Sequence, residues 1–273
     1  MSERSSRRSS HLAVALLALV TLACDKGEGG RSGRKGEPLR VAAAADLAIA
    51  FKEVGTAFEQ TSGKKVEFSF GSTGLLAKQI AEGAPFDVFA AANISYVDEV
   101  VRASACDGGT KRLYAKGRIV MWSKDKALLP ASLEELRDPK YAKVAIANPE
   151  HAPYGLAARQ AMIKSAVWQT VEPRAVYGEN VQQTLMFAQS GNAEIAIVAL
   201  SLAVTSGGSY ALIDPELHAP LDQAMVVCKG GAAGGKPNEA RSFVEFVGSE
   251  PGRLIMRKYG FLLPGEAVPA PPK

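Results

Sequence analysis

Hydrophobic and polar positions alternate with period two over residues 66–70, the pattern of a half-buried strand. In the stretch FSFGSTGLLAKQIAEG, two glycines interrupt this pattern, and apolar residues then recur at helical spacing until Gly83. The stretch therefore places Ser72 and Thr73 at a helix N-terminus. Unpaired N–H groups and the positive end of the helix dipole attract anions there. A hydroxyl at such a place can equally be a simple helix cap.

Two further stretches repeat the succession of strand, turn and helix. They are residues 39–63, with Asp46 as a candidate N-cap, and residues 144–147 followed by the loop NPEHAPYG and a helix from about Leu156. Later, Gly178-Glu179-Asn180-Val181 opens a helix that closes at Gly191, and the apolar strand 195–200 follows it. This alternation predicts an α/β fold with mostly parallel sheets. Ligands of such folds bind beyond the carboxyl ends of the strands, where the helices begin.

The first 38 residues differ from the rest of the chain. Residues 1–23 contain three arginines and then an apolar run that is too short to span a membrane, as in a signal peptide. The run ends in Leu22-Ala23-Cys24, which resembles the lipobox of bacterial lipoproteins, although a plain signal peptide is the alternative. Residues 24–38 are predicted to be a flexible tether, and residues 266–273 a disordered tail. We therefore expect an exported protein, periplasmic or at the cell surface, lipid-anchored at Cys24.

The composition of the chain argues against some classes of function. Hydrophobic residues make up 47% of the chain, which is ample for a core. Removing residues 1–23, with three Arg and one Glu, changes the net charge from +4 to 4 − 2 = +2, and no basic stripe indicates a nucleic-acid partner. The three histidines are scattered, which argues against a His-based metal site. Whether Cys106 and Cys228 form a disulfide is left open.

Five segments together resemble the periplasmic molybdate-binding proteins of ABC transporters. They are AAAADLAIAFKEVGTAFE, FSFGSTGLLAKQIAEGAPFDVFAAAN, IANPEHAPYGLAARQAM, ENVQQTLMFAQSGNAEIAIV and RKYGF. The resemblance covers residues 39–263 and implies a two-lobed type II periplasmic binding protein fold, each lobe a mixed, mostly parallel sheet flanked by helices. The implied lobes are residues 39–117 with 226–265, and residues 118–225. We expect the crossings to lie near RIVMW and AMVVC, as neighbouring hinge strands.

The same resemblance implies how the protein works. A monomer without a cofactor would close on molybdate or tungstate and deliver the oxyanion to a membrane permease. Molybdenum would be held only as the oxyanion, with no direct bond from protein to metal. The implied ligand positions are Asp46 (or its neighbour Ala45), Thr73 with Ser72 beside it, Tyr154, and the backbone N–H of Val181; a tyrosine found in some relatives falls at Ala199.

Two of these positions carry specific expectations. A carboxylate repels a dianion, so the Asp46 side chain is expected to cap its own helix while a backbone N–H faces the ligand. Tyr154 is expected to donate its phenol to the ligand, or alternatively to stack at the rim of the cleft. A site made only of donors would reject protonated phosphate, which finds no acceptor there, and sulfate, which is too small, but it would not exclude tungstate.

Two other functions compete with this one. A binding protein for sulfate, phosphate or a small organic anion would share the fold. A serine-type hydrolase would use Ser72 or Thr73 as nucleophile and His151 as base. The hydrolase is disfavoured because the G-x-S-x-G elbow is missing and no acid is evident that would orient His151.

Overall fold

The computed structural model describes residues 36–266. The predicted signal peptide, Cys24, nearly all of the tether and the tail from residue 267 lie outside the described residues. Within this range, no helix combines the length and the apolar character needed to cross a membrane.

Residues 36–266 contain ten strands and nine helices. The strands are β1 (Leu39–Ala44), β2 (Val66–Gly71), β3 (Val88–Ala91), β4 (Cys106–Gly117), β5 (Ile119–Ser123), β6 (Val144–Ala147), β7 (Ala175–Gly178), β8 (Ile195–Ala199), β9 (Ser209–Leu212) and β10 (Leu221–Cys228). The helices are α1 (Ala50–Ser62), α2 (Thr73–Ala81), α3 (Ile94–Arg102), α4 (Pro153–Lys164), α5 (Trp168–Val171), α6 (Val181–Gln189), α7 (Leu200–Ala203), α8 (Pro237–Gly248) and α9 (Glu250–Lys258).

The strands form two five-stranded sheets, in the orders β2-β1-β3-β10-β4 and β7-β6-β8-β5-β9. In the first sheet β1 is parallel to β2 and β3, and β10 is antiparallel to both of its neighbours. In the second sheet β6 is parallel to β7 and β8, and β5 is antiparallel to both of its neighbours. Each sheet thus has one reversed strand, and the predicted two-lobed α/β fold with mixed sheets is confirmed. We call the first sheet with its flanking helices lobe I and the second lobe II.

The chain crosses between the sheets near RIVMW and near AMVVC, as expected, but the prediction that these runs are neighbouring strands is wrong. RIVMW lies largely in β5 and AMVVC lies in β10, and these strands belong to different sheets. Each is an inner strand between two others, so its apolar character reflects burial on both faces rather than a hinge. The chain leaves the first sheet after Gly117 and is back in it at Leu221, five residues before the predicted position 226. The other predicted lobe limits stay predictions.

The strand–helix junctions agree with the sequence in part. Strand β6 and the start of α6 at Val181 lie where they were predicted. Helix α4 begins at Pro153 rather than near Leu156, with proline in the first turn, where its missing N–H removes no hydrogen bond. Asp46 is not the N-cap of α1, because that helix begins only at Ala50 and Asp46 lies in a separate 3-10 turn, Ala45–Leu47.

Cys106 and Cys228 form a disulfide between β4 and β10. This decides the question that the sequence left open. The two cysteines are 122 residues apart in the chain but face each other across one strand pair. A crosslink that closes so long a loop typically stabilises a fold by about 2–4 kcal/mol, largely by restricting the unfolded chain. The disulfide therefore fixes β10 to the edge of the lobe I sheet.

Candidate functional site

A small cavity lies where strands of both sheets end. It is lined from lobe I by residues 44–46, 71–73 and Ala92, and from lobe II by residues 152–154 and 180–181. The lobe I segments directly follow β1, β2 and β3, whereas the lobe II segments follow β6 and β7 after short loops. All five side-chain or backbone positions predicted from the sequence are therefore brought together: Asp46, Ser72, Thr73, Tyr154 and Val181.

Three helices begin at this cavity. Helix α2 starts at Thr73 on lobe I, and α4 and α6 start at Pro153 and Val181 on lobe II. The Asn180 side chain caps α6 by accepting from the N–H groups of Gln182 and Gln183, both at 3.0 Å. The first N–H groups of a helix have no acceptor inside it and carry the positive end of its dipole. The cavity is thus built to attract an anion from both sides.

The hydroxyls of Ser72 and Thr73 have different partners. The Ser72 hydroxyl donates to the His151 carbonyl at 2.7 Å, and its oxygen lies 2.8 Å from His151 Nδ1. Thr73 Oγ1 instead accepts from the Ala92 N–H at 3.2 Å, which leaves the hydroxyl proton of Thr73 free to be donated. Neither side chain caps α2, although Ser72 occupies the N-cap position. The interpretation of these hydroxyls as simple helix caps is therefore wrong.

The Asp46 side chain does not cap a helix, contrary to expectation. It is fully buried, and its Oδ2 accepts from the Tyr154 hydroxyl at 2.9 Å and from Gln223 Nε2 at 2.6 Å. Its Oδ1 has no hydrogen-bond partner among the residues that the structure describes. Helix α1 begins four residues later, at Ala50, and has no side-chain cap.

A buried polar network surrounds this carboxyl. The Tyr114 hydroxyl donates to Gln223 Oε1 at 2.8 Å, which orients the amide so that its Nε2 faces Asp46. From lobe II, the Ser201 hydroxyl donates to the Asp46 backbone carbonyl at 2.8 Å. Buried polar groups need such partners, because an unpaired one costs about 1–3 kcal/mol. The network connects the two lobes at the back of the cavity.

Burial raises the pKa of Asp46 to about 6, although the hydrogen bonds from Gln223 and Tyr154 act to lower it. Burial and the adjacent Asp46 also raise the pKa values of Tyr154 and Tyr114 well above 10, so both phenols stay neutral donors. An ionised carboxyl oxygen is a hydrogen-bond acceptor. The ligand-free site thus holds an acceptor oxygen beside its donors, and a site made only of donors stays a prediction for the bound state.

Tyr154 lies in the cavity wall but does not have the predicted contacts. Its side chain is buried, 2% exposed, so it is not a rim residue. Its phenol donates to Asp46 and accepts from Gln223 Nε2 at 3.0 Å, and the hydroxyl proton is therefore directed at the carboxyl. The Tyr154 backbone N–H, in the first turn of α4, is the group left for a ligand. Ala199, the position of the missing tyrosine, is buried at the end of β8.

Several residues of the site were missed from the sequence: Tyr114, Asn180, Ser201 and Gln223. Asn180 had a readable signal, since asparagine directly before a helical pattern is a strong N-cap. Gln223 had only a weak one, as a polar residue at the edge of an apolar strand. Tyr114 and Ser201 had none, because their partners lie far away in the chain.

Ser72 and His151 are in contact, which bears on the hydrolase alternative. The Ser72 oxygen touches both Nδ1 and the carbonyl of His151, and the Gly74 N–H donates to the same carbonyl at 2.9 Å. A nucleophile would need its proton directed at the imidazole, and the imidazole held by an acid. Here the Ser72 proton goes to the carbonyl. The contact is therefore a structural hydrogen bond between the two lobes.

The fold and the cavity define a two-lobed binding protein for a small anion. Consistent with this class, residues 39–262 match the family described as bacterial extracellular solute-binding protein. The chain belongs to that family.

Named relatives and solved structures show which solute-binding proteins the chain is similar to. The chain is 33% identical over 256 residues to the molybdate-binding protein ModA of Rhodobacter capsulatus, covering 93% of this chain and 96% of the relative. It is 25% identical over 261 residues to the putative ABC transporter substrate-binding lipoprotein YvgL of Bacillus subtilis, covering 93% and 98%. Among solved structures, the periplasmic molybdate-binding protein of Azotobacter vinelandii matches with a TM-score of 0.77 and 26% identity, covering 83% of this chain and 99% of that one. The resemblance inferred from the sequence is confirmed.

Proposed function

We propose that this protein binds molybdate in the cavity between its lobes and delivers it to the membrane permease of an ABC transporter. One observation carries the proposal: helix N-termini from both lobes converge on one cavity beside the free hydroxyl proton of Thr73. The names of the relatives supply the particular oxyanion. Tungstate, which has nearly the same size and charge, is expected to bind as well.

The donors in this proposal are neutral. They are the hydroxyl of Thr73 and the first-turn backbone N–H groups of Thr73, Tyr154 and Val181. Burying a dianion without partners is very unfavourable, but convergent donors replace its hydration shell, and hydrogen bonds to a charged group are the stronger kind. No protein atom bonds to molybdenum, and no cofactor takes part. The ligand stabilises the state in which the lobes touch, because only that state offers donors from both sides.

Isothermal titration with molybdate, tungstate, sulfate and phosphate tests the proposal. We expect molybdate and tungstate to bind far more tightly than the other two anions. A hundredfold excess of molybdate over its Kd should stabilise the folded protein by about 2.7 kcal/mol and raise its melting temperature. If molybdate gives neither heat nor stabilisation near pH 6, the proposed function is wrong.

A second candidate function is binding of a protonated oxyanion such as hydrogenphosphate. The observation that favours it is the unpartnered Asp46 Oδ1, which in its ionised form would accept the ligand's own O–H. Tight phosphate binding with weak molybdate binding in the same titration would favour this candidate.

Export follows from membership in an extracellular family, and we further propose that the protein is a monomer anchored by lipid at Cys24. The lipobox-like Leu22-Ala23-Cys24 supports the anchor, as does the relative YvgL, which is named a lipoprotein. Changing Cys24→Ser should release the protein from membranes or leave it unprocessed, with the affinity of the purified binding domain unaltered. Wild-type protein that is soluble and free of lipid by mass spectrometry would contradict the anchor, and a dimer by light scattering would contradict the monomer.

A further inference from the structure

Deepening the proposed function, we propose that Asp46 holds a proton in the complex and shares it with the oxyanion through Oδ1, so that ligand capture takes up one proton. The proton comes from the acid form of the buffer, which is left as its conjugate base. It ends in a hydrogen bond between the Asp46 carboxyl and a ligand oxygen, and no other bond is made or broken.

The two oxygens of Asp46 are used differently. Oδ2 is occupied by the donors Tyr154 and Gln223, at 2.9 and 2.6 Å. Oδ1 is buried without a partner, in a residue that lines the cavity beside Thr73 and Val181. A fully ionised carboxylate at this place would repel a dianion at close range. A carboxylic acid has an O–H to donate, which turns the repelling group into one more ligand.

The surroundings of Oδ2 keep the proton of the Asp46 carboxyl off that oxygen. Both neighbours of Oδ2 are donors, the Tyr154 phenol and an amide N–H held in place by Tyr114. They favour a bare acceptor at Oδ2. A proton on the carboxyl therefore belongs on Oδ1, on the side that is not occupied by protein.

Few titratable groups lie near enough to compete for this role. Tyr114 and Tyr154 face Asp46 from β4 and α4, and both remain neutral because their pKa values are well above 10. Helices α6 and α7, which pack against the 3-10 turn that carries Asp46, contain no acidic or basic residue. On the neighbouring segments, Glu67 of β2 is exposed, Arg118 is half-buried beside the crossing after β4, and His151 contacts Ser72 rather than Asp46.

The sign of the pH effect follows from linkage. The pKa of Asp46 is about 6 without ligand, and a bound dianion raises it further because like charges disfavour ionisation. Below about pH 6 the acid already carries its proton, so affinity changes little with pH. Above that value the free protein is ionised and must take up a proton to bind. The Kd for molybdate should then rise about tenfold per pH unit.

The experiment titrates molybdate into the wild-type protein between about pH 6 and pH 9, where molybdate stays a dianion. At pH 8 the titration is repeated in buffers of different ionisation enthalpy, which counts the protons taken up. We expect nearly one proton per molybdate at pH 8 and fewer at pH 6. Wild-type binding without proton uptake, or with a Kd that is constant over this range, overturns the inference while leaving the proposed function in place.

Asp46→Asn gives the sharper comparison. Its amide oxygen would accept from Tyr154 and Gln223, which places the NH₂ group where Oδ1 lies and makes it a permanent donor. Its Kd should be independent of pH, so that at pH 8 it binds molybdate about tenfold or more tightly than the wild type. Asp98→Asn, which removes an exposed charge paired with Lys111, should keep the pH slope of the wild type.

The outcomes separate the two ideas. A pH slope in Asp46→Asn equal to that of the wild type overturns the role of Asp46. If Asp46→Asn does not fold, the proton count on the wild type decides alone. Molybdate that fails to bind the wild type even at pH 6 overturns the proposed function, and the inference with it.

Discussion

Replacing Gly117 with alanine should weaken molybdate binding by about ten- to a hundredfold. Gly117 ends β4 at the crossing between the lobes, and an added Cβ would lie 2.2 Å from the Tyr154 hydroxyl and 2.9 Å from Gln223 Nε2. Overpacking of this kind costs about 1–3 kcal/mol. The closer of these two contacts joins Gly117 of lobe I to Tyr154 of lobe II, so it arises when the lobes come together, whereas the contact with Gln223 lies within lobe I. Since about 1.4 kcal/mol is a tenfold change, the cost appears in the Kd.

The measurement pairs molybdate titration with thermal unfolding of the ligand-free variant. Gly117 does not have a positive φ, so alanine is compatible with its backbone and the unliganded fold should lose less than the complex. Gly248→Ala is the matched control, because no atom lies within 4 Å of its added Cβ. Equal affinity of Gly117→Ala and wild type would show that the contact between Tyr154 and the end of β4 is not part of the bound state.

Local patterns in the sequence predicted the features that local physics decides. Residues 144–147 are all apolar and form β6, and α6 begins at Val181, where the change of pattern after Gly178 predicted a helix. The start of α2 at Thr73 follows in the same way from two glycines and a change of hydrophobic period. Each of these features depends on residues within a few positions of one another.

The polar network around Asp46 could not be predicted in this way. Asp46 binds Tyr154 and Gln223, which are 108 and 177 residues away, and Tyr114 reaches Gln223 over 109 residues. From the sequence, a carboxylate before a helical pattern is a helix cap, and only the tertiary fold reveals stronger donors. Tyr154 was placed correctly at the site, but its phenol was assigned to the ligand because its partner was unknown.

The prediction that RIVMW and AMVVC are neighbouring strands failed for a related reason. A continuous apolar run indicates a strand buried on both faces, but it does not tell which sheet the strand joins. RIVMW and AMVVC have the same character and lie in different sheets, each inside its own. Sheet assignment depends on pairings between distant segments, such as β10 with β3, and these leave no local trace.

Replacing Thr73 with valine should lower the affinity for molybdate by roughly tenfold or more. The hydroxyl of Thr73 accepts from Ala92 and keeps its proton for the ligand, and a hydrogen bond to a charged group contributes about 1.5–3 kcal/mol. Valine preserves the shape but removes both functions. The ligand-free protein should also be destabilised, by about 1–3 kcal/mol, because the buried Ala92 N–H loses its partner.

Two variants separate these effects in parallel titrations and unfolding measurements. Thr73→Ser keeps the oxygen and its proton, and should restore both the affinity and the stability. Ser72→Ala removes the contact with His151 but no ligand donor, so its loss of affinity should be smaller than that of Thr73→Val. If Thr73→Val is destabilised and still binds molybdate as tightly as the wild type, the hydroxyl serves only Ala92, and the oxyanion is held by backbone N–H groups at this end of the cavity.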